Sequence, residues 1–539
     1  AGVRDPAERI ELEVVRGRTL AEIGDSESAK RALAFALESN PDHAEALGVF
    51  ADVCGRENDW GGAEQALIRL ARLVPDTAEQ AAIYVRLGEI YDKHLPNPER
   101  AELAYREVLR RIPGDVTAQE RLVGVYSRIG DATRAIEMEQ GLLQAATTPD
   151  MKRKRVVELA IIYEQVAKDP KRGETMLEAA RKEFPNDVEL LAALAEFYQR
   201  ANRGPAVQVL LDRAAGDARR ALSTGRFDVS LFAMLGAVAR LRGRTEAATI
   251  AEATVAAIEG RPSALAGAES RAPDFRLDDS LAPELLTPAF RSLLQKSGDI
   301  LDAAVPVDLK GLRAATLPQQ ANVLAGQIAD LAASYGLLNL EVFVSPTLGS
   351  VCLPIGSSPP QIAIGQPLML TPDDDVRRFL VCRALKAVQA RASAIARSAP
   401  IDLAPLISAY LLLFAPDWQP AAVDPGKLRD MHARLQRVKP KKVDDDVAVL
   451  ALEVIGTLGN RASTLHTVVN NWGNRVALLA SGDLSIGLSA IARAAGHSAG
   501  PAASGAERVT WIGRNAEARD LAIFSVSDAY AEVRAKLGL

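Results

Sequence analysis

AEALGVFADVCGRENDWGGAEQALIRLARLVPD, residues 44–76, decides how the first half of the chain folds. Leu47, Phe50 and Ala51 recur at helical spacing, Asn58-Asp59 breaks the run, Ala63, Leu67 and Leu70 resume it, and Pro75 closes the unit. Two amphipathic stretches around a turn predict a helix hairpin. The same set returns on either side. It reads Leu87, Gly88, Tyr91, Ala101, Tyr105, Val108 and Pro113, then Leu122, Val123, Tyr126 and Ala135. Leu159, Ala160, Tyr163, Gly173, Leu177, Ala180 and Pro185 follow, then Leu194, Ala195, Tyr198 and Ala206. Ala29 and Pro41 mark an earlier copy, and Leu235, Gly236 and Ala247 a degenerate later one without its proline. A period of about 34 residues means stacked helix pairs. The small residues let paired helices approach, and Tyr and Leu fill the space between neighbours. Gly24-Asp25, Asn58-Asp59 and Gly130-Asp131 supply turns, while "DKHLPNPER" and "QVAKDPKRG" make two longer ones.

Over roughly residues 8–213 this pattern resembles the tetratricopeptide repeat. The resemblance implies an α-solenoid whose groove is lined by helix-A residues pointing away from the packed Leu and Tyr. Here those are Glu45, Asp52, Arg56, Glu89, Asp92, Lys93, Glu120, Arg128, Glu164, Glu189, Glu196 and Arg200. Carboxylates predominate, which disfavours capture of a C-terminal carboxylate and favours a basic or amphipathic protein segment. An ordinary solvated helix face is the alternative.

At 539 residues the chain exceeds one core. It divides into a repeat series at 1–260, a Pro/Ser/Ala-rich connection at 261–281, and an α+β, mostly helical module at 282–539. Only 5% of residues are aromatic, which suits helices packed through small side chains. A net charge of −5 gives no global pull toward nucleic acid. The basic run Arg434–Lys442 is followed at once by Asp444–Asp446, which argues against a phosphate-binding or membrane-surface patch. The best membrane candidate, Leu403–Pro416, spans about 14 residues and is too short to cross. Three scattered cysteines, Cys54, Cys352 and Cys382, fit a reducing, cytoplasmic setting. The start at Ala1 points to a processed or trimmed N-terminus, and the Ala- and Arg-rich composition to a GC-rich bacterial coding bias.

In the second half, helices are expected at Pro283–Ala303 and Leu317–Tyr335. No charged residue lies between Val342 and Pro372, so this stretch is expected to be buried. Its breakers leave three short strands, "NLEVFVS", "SVCLPIG" and "PQIAIGQ". A helix follows, with Thr371 as N-cap, Pro372 at its first position and Asp373–Asp375 at the dipole's positive end. This order of strands, elbow and helix, over about residues 335–495, resembles the HExxH zinc peptidases of the CAAX-prenyl-endopeptidase-like type. Aligned so, Cys382 and Lys386 stand at the two His positions, Arg383 at the Glu, and Asn470 and Asn474 at the later carboxylates. The resemblance implies a degenerate, ligand-stripped peptidase module in which Arg383 pairs with Asp373–Asp375 or a neighbouring acid.

His43, His94, His432, His466 and His497 lack a second His or Cys at metal-ligand spacing, and no phosphate-binding glycine loop or nucleophile elbow is present. Cys382 reads as a buried thiol. The apolar "LISAYLLLFAPDW" and "VAVLALEVIGTLG" read as core helices. The tail, Ala518–Leu539, either packs on its own module or offers a helix to a partner. The sequence therefore points to a non-enzymatic adaptor without catalytic residues, metal or cofactor. It binds protein, neither nucleic acid nor bilayer interior, and self-association is left open. The rival readings are a hydrolase with unrecognised residues and a structural subunit of a large bacterial assembly.

Overall fold

The computed structural model describes residues 5–262, 278–317, 323–421, 423–444, 446–496 and 505–538. Most of the expected connection at 261–281, and His497, lie outside the described residues. Two compact units divide at Gly204/Pro205. The chain is mainly α, a tetratricopeptide-like helical series followed by helices with a small four-stranded sheet.

In the first unit, hairpins form from α1 (Pro6–Glu22) and α2 (Ser26–Ser39), α3 (Ala44–Arg56) and α4 (Trp60–Leu73), and α5 (Thr77–Glu89) and α6 (Pro98–Arg111). Two more follow, α7 (Val116–Ile129) with α8 (Ala132–Ala145) and α9 (Pro149–Gln165) with α10 (Pro170–Glu183), then α11 (Val188–Arg200). The turns behave as their residues demand. Gly24, Asn58 and Gly130 take positive φ, and the next residues cap the following helices, Asp25 accepting from Ser28 N, Asp59 from Gly62 N and Asp131 from Arg134 N. The longer turn after α5 is taken up by a π-helical turn, Ile90–His94, before Asn97 caps α6. Ala29, Ala63, Ala101 and Ala135 are buried in the helix pairs, and Tyr91, Tyr126, Tyr163 and Tyr198 are buried as well. A Cβ on Gly173 would stand 2.8 Å from the Ala160 carbonyl, so that helix crossing admits no side chain.

The second unit opens with α12 (Gly204–Ser223), α13 (Val229–Leu241) and α14 (Thr245–Glu259). After them come α15 (Asp278–Leu281), α16 (Pro288–Ser297), α17 (Asp299–Ala304), β1 (Ala315–Thr316), α18 (Val323–Ser334) and β2 (Glu341–Ser345). Next are β3 (Cys352–Ser357), β4 (Pro360–Gly365), α19 (Gln366–Met369), α20 (Asp374–Gln389), α21 (Ser393–Arg397), α22 (Pro400–Leu412) and α23 (Pro425–Val438). The unit ends with α24 (Val447–Leu458), α25 (Leu465–Ser481), α26 (Leu484–Ala494), α27 (Gly505–Arg514), α28 (Ala516–Ser525) and α29 (Asp528–Leu537). The sheet order is β1-β2-β4-β3, with β2 and β4 parallel and the other pairs antiparallel. No helix among the described residues is long and apolar enough to cross a membrane.

Several local expectations are corrected. The helix expected at Pro283–Ala303 is two, broken at Gly298, where a Cβ would fall 2.2 Å from the Arg391 carbonyl. Asp373, not Thr371, caps α20, accepting from Val376 N at 3.1 Å. A carboxylate serves the dipole's positive end better than a hydroxyl, and Thr371 is instead buried and bonded by Arg493. The uncharged stretch is buried only in part, at Ile362–Ile364, Leu368 and Thr371 among others, while Leu370 is 72% exposed. A lack of charge there reflects turn composition as much as burial.

The tail packs inside its own unit. Helix α14 lies against α26, α27 and α28. Arg508 Nε donates to the Ala257 carbonyl at 2.8 Å, and the Thr254 and Ser525 hydroxyls bond at 2.9 Å. These contacts group the degenerate hairpin α13–α14 with the residues beyond 282, so the compact units part before the composition break at Gly260.

Helices α20 and α25 cross in close contact. A Cβ on Gly473 would meet the Arg383 carbonyl at 2.8 Å and its Cα at 3.2 Å. Gly473→Ala is expected to cost about 1–3 kcal/mol by forcing two packed backbones apart, read from the urea midpoint of the second unit's transition.

Candidate functional site

The helix-A positions named from the sequence fall on a ladder of ion pairs that runs from hairpin to hairpin. Glu45 of α3 meets Arg18 of α1 at 2.7 Å, and Asp52 of α3 meets Arg86 of α5 at 2.5 Å. Glu89 meets Arg121 of α7 at 3.1 Å, with Lys93 at 3.8 Å, and Asp92 pairs with Arg128. Glu120 of α7 pairs with Arg155 of α9, and Glu164 of α9 meets Arg200 of α11 at 2.7 Å. Arg56 instead donates to the Ala21 carbonyl at 2.7 Å. Glu196 is largely exposed and 3.7 Å from Arg200, and Glu189 is exposed with no ion pair among the described residues.

This placement changes what the face offers. Six carboxylates that composition presents as free acid are each compensated by an arginine of a neighbouring helix A. Apart from the pair of buried Arg155, such partly exposed pairs contribute about 0–1 kcal/mol each, so their main effect is to set register between hairpins and cancel charge. Glu189 and Glu196 carry the acidic character that remains. The partners Arg18, Arg86, Arg121 and Arg155 were missed from sequence, although Arg86 and Arg121 each stand directly before a packed leucine, Leu87 and Leu122.

Beside the ladder, the four buried tyrosines Tyr91, Tyr126, Tyr163 and Tyr198 are each clasped. The Tyr91 hydroxyl donates to Glu64 at 2.6 Å, Arg100 reaches the same carboxylate at 2.7 Å, and its guanidinium lies 5.6 Å from the ring centre. Tyr126 repeats this with Glu102 at 3.3 Å and Arg134 at 4.6 Å above the ring. Tyr198 donates to Glu178 at 2.9 Å beneath Arg203 at 4.6 Å, but there the guanidinium reaches Glu174 at 2.7 Å instead. Tyr163 keeps the arginine, Arg172 at 4.8 Å, but takes its hydrogen bond from Gln140 at 3.4 Å. Burial first, then Glu64, pushes the Tyr91 phenol up to about 12. These side chains hold the stack together and are not available to a ligand.

The second unit contains a cleft of about 460 Å³ between the β3 edge at Val351–Pro354, α20 and α25. Leu380, Arg383, Ala384 and Ala387 line one wall, His466, Thr467 and Asn470 another, and Glu517 closes one end. Arg383 reaches both Glu517 oxygens, at 2.7 and 3.1 Å, and Asn474 Nδ2 donates to the same carboxylate at 3.2 Å. Arg383 thus pairs with an acid far along the chain and not with Asp373–Asp375. Those aspartates serve the start of α20, where Asp374 pairs with Arg377 and Asp373 lies 3.7 Å from Arg493. Burial, the largest influence on His466, lowers its pKa and favours neutral imidazole.

Of the positions aligned with metal ligands, Arg383 and Asn470 line the cleft and Cys382 and Lys386 do not. At about 100° per residue, Leu380, Ala384 and Ala387 fall to one side of Arg383 around α20, and Cys382 and Lys386 fall to the other. Cys382 is buried, which pushes its thiol up to about 11. The Lys386 ammonium sits 3.9 Å over the Trp472 ring and donates to Gln389 at 2.8 Å. Arg383 with Ala387, and Leu380 with Ala384, are cleft-facing pairs one turn apart. Among the described residues, no group of three or more His, Cys, Asp or Glu gathers around a metal-sized space.

No family model matches the chain. Over 171 residues it is 28% identical to cellulose synthase operon protein C of Xanthomonas axonopodis pv. citri (strain 306), an alignment covering 30% of this chain and 11% of that protein. The chain thus spans about a tenth of that curated relative's length. Among solved structures it is similar to MamA, at 19% identity over 34% of this chain and 96% of that one, with a TM-score of 0.27. A tetratricopeptide repeat protein from Parabacteroides merdae ATCC 43184 matches at 17% identity over 46% and 92%, also with a TM-score of 0.27. The type IV pilus biogenesis factor PilW matches at 14% identity over 38% and 91%, with a TM-score of 0.26. The description of the first unit as a tetratricopeptide-type helical series rests on its own hairpins, small-residue crossings and buried tyrosines.

Proposed function

We propose that this chain is a non-enzymatic adaptor that holds a protein segment against the helix-A face of its repeats. The observation that carries the reading is the ladder, which ties successive A helices into one continuous face and leaves on it Glu189, without an ion pair among the described residues, and the largely exposed Glu196, reached only by Arg200 at 3.7 Å. A basic or amphipathic helix is the ligand this favours, because its cations meet these two exposed carboxylates while its apolar side lies along a charge-cancelled surface. Functionally, residues 1–260 act as the repeat series and residues 282–539 as an α+β module joined through 261–281. Free Cys54, Cys352 and Cys382 suit a reducing cytoplasm.

The test is fluorescence anisotropy with a synthetic amphipathic Lys/Leu helix and its Glu/Leu counterpart as control. Preferential binding of the Lys/Leu helix is expected, with E189K/E196K weakening it about tenfold, or about 1.4 kcal/mol. Equal affinity of the double variant and the parent chain would sink the reading.

A second element of the proposal concerns the cleft. The Arg383–Glu517 pair lies inside a trough bordered by a sheet edge, which supports a peptidase-like module whose hydrolytic centre has been replaced by a structural ion pair. Stoichiometric zinc in the purified protein, measured by elemental analysis, would contradict it and favour a hydrolase.

A further inference from the structure

The junction between α8 and α9 departs from the pattern of its neighbours. Four positions before each of Phe50, Leu87, Leu122 and Leu194 stands a buried apolar residue, namely Ala46, Ile83, Ala118 or Leu190. The residue four before Leu159 is Arg155, and it too is buried. Facing it from α8 is Glu139, only 1% exposed. Arg155 is bonded to Glu120 of α7 and, at 2.8 Å, to Glu158 of its own helix. Glu139 Oε1 lies 3.6 Å from Arg155 Nη1, beyond hydrogen-bond reach, and has no hydrogen-bond partner among the described residues.

Three carboxylates therefore share one guanidinium at a position that the other A helices named fill with an apolar side chain. The charged groups around Glu139 are Arg155 and Glu158 from α9, with Glu120 of α7 beyond the guanidinium. Lys154 approaches Glu158 at 3.8 Å from the solvent side. A buried carboxylate without its own cation is costly to ionise and takes up a proton instead. Burial, then neighbouring Glu158, pushes the Glu139 carboxyl up to about 7.

We propose that the α8–α9 junction is a proton-operated joint in the repeat stack: with a proton on Glu139 the two helices close on one another, and release of that proton to solvent loosens the seam. The sign follows from linkage. A carboxyl bound more tightly to its proton in the folded state than in the unfolded chain favours the closed joint at low pH. That advantage fades as pH rises from the ordinary carboxylate range through about 7. The joint would then change how the face is presented on its two sides across the neutral range.

Hydrogen exchange by mass spectrometry on the full chain tests this, with α5–α6 amides as an internal reference that cancels the chemical effect of pH. Protection of α8 and α9 relative to the reference is expected to fall about tenfold between pH 5.5 and 8.5, and by less than about twofold in E139Q. A parent ratio that stays constant across pH, or an E139Q chain that follows the same slope as the parent, overturns the proposal. E158Q provides an independent check, since removing one competitor for Arg155 should move the transition to lower pH. An unmoved midpoint in that variant would overturn the shared guanidinium.

Discussion

Replacing Arg397 with Met is expected to remove about 3–5 kcal/mol from the stability of the second unit, because it strands a buried carboxylate. Arg397 and Asp302 are 7% and 9% exposed and lie 3.1 Å apart. Asp302 also accepts from Ala394 N at 2.7 Å, Ser357 N at 3.0 Å and Ser357 Oγ at 2.8 Å, while Arg397 donates to the Val305 carbonyl at 2.5 Å. One ion pair thereby fastens α17, the end of β3 and α21 together. Without the guanidinium, the remaining donors still hold the carboxylate in place but nothing balances its charge. Urea unfolding followed by tryptophan fluorescence reads the loss. A change below about 1 kcal/mol would mean the carboxylate escapes to water, contrary to the burial described.

Truncation of Tyr126 to Ala is expected to cost the first unit about 3–5 kcal/mol, the range for emptying an aromatic site in a packed interior. Its ring is 1% exposed within the core of the α3–α8 hairpins, and Arg134 covers its face at 4.6 Å. Tyr126→Phe separates packing from polarity. That change removes only the 3.3 Å bond to Glu102, and Arg134 still satisfies the carboxylate at 2.6 Å, so about 0.5–1.5 kcal/mol is expected. Equal losses in the two variants, measured by thermal unfolding, would show that the hydroxyl and not the ring holds the hairpins.

The fold of the first unit was legible because each repeat states the same local rules. Small residues stand where helices cross, aromatics where hairpins meet, and Asp follows each tight turn. The second unit lacks that redundancy. Its three main strands could be read from breakers in an uncharged stretch, but the start of α20 turned on whether Thr371 or Asp373 capped it, and sequence alone ranks both well. The cleft was hardest. Assigning Cys382 and Lys386 to it required knowing the rotation of α20 about its axis, which a helix with apolar residues on nearly every side does not reveal. Glu517, which meets Arg383, lies more than a hundred residues away with no periodic signal to announce it. On the repeat face the carboxylates were found with two of their arginines, Arg128 and Arg200, while Arg18, Arg86, Arg121 and Arg155 were not, because attention to residues facing outward overlooks residues that reach across to the next helix.

The tyrosine clasps also bear on how such a chain grows. Each takes its acid or amide from one hairpin, Glu64, Glu102, Gln140 or Glu178, and its ring and guanidinium from the following one. A duplicated stretch of gene encoding one hairpin would carry both halves, a fresh acid for its successor and a fresh ring for its predecessor. Lengthening by whole units therefore leaves no clasp incomplete, whereas an insertion out of phase would leave one half without its complement.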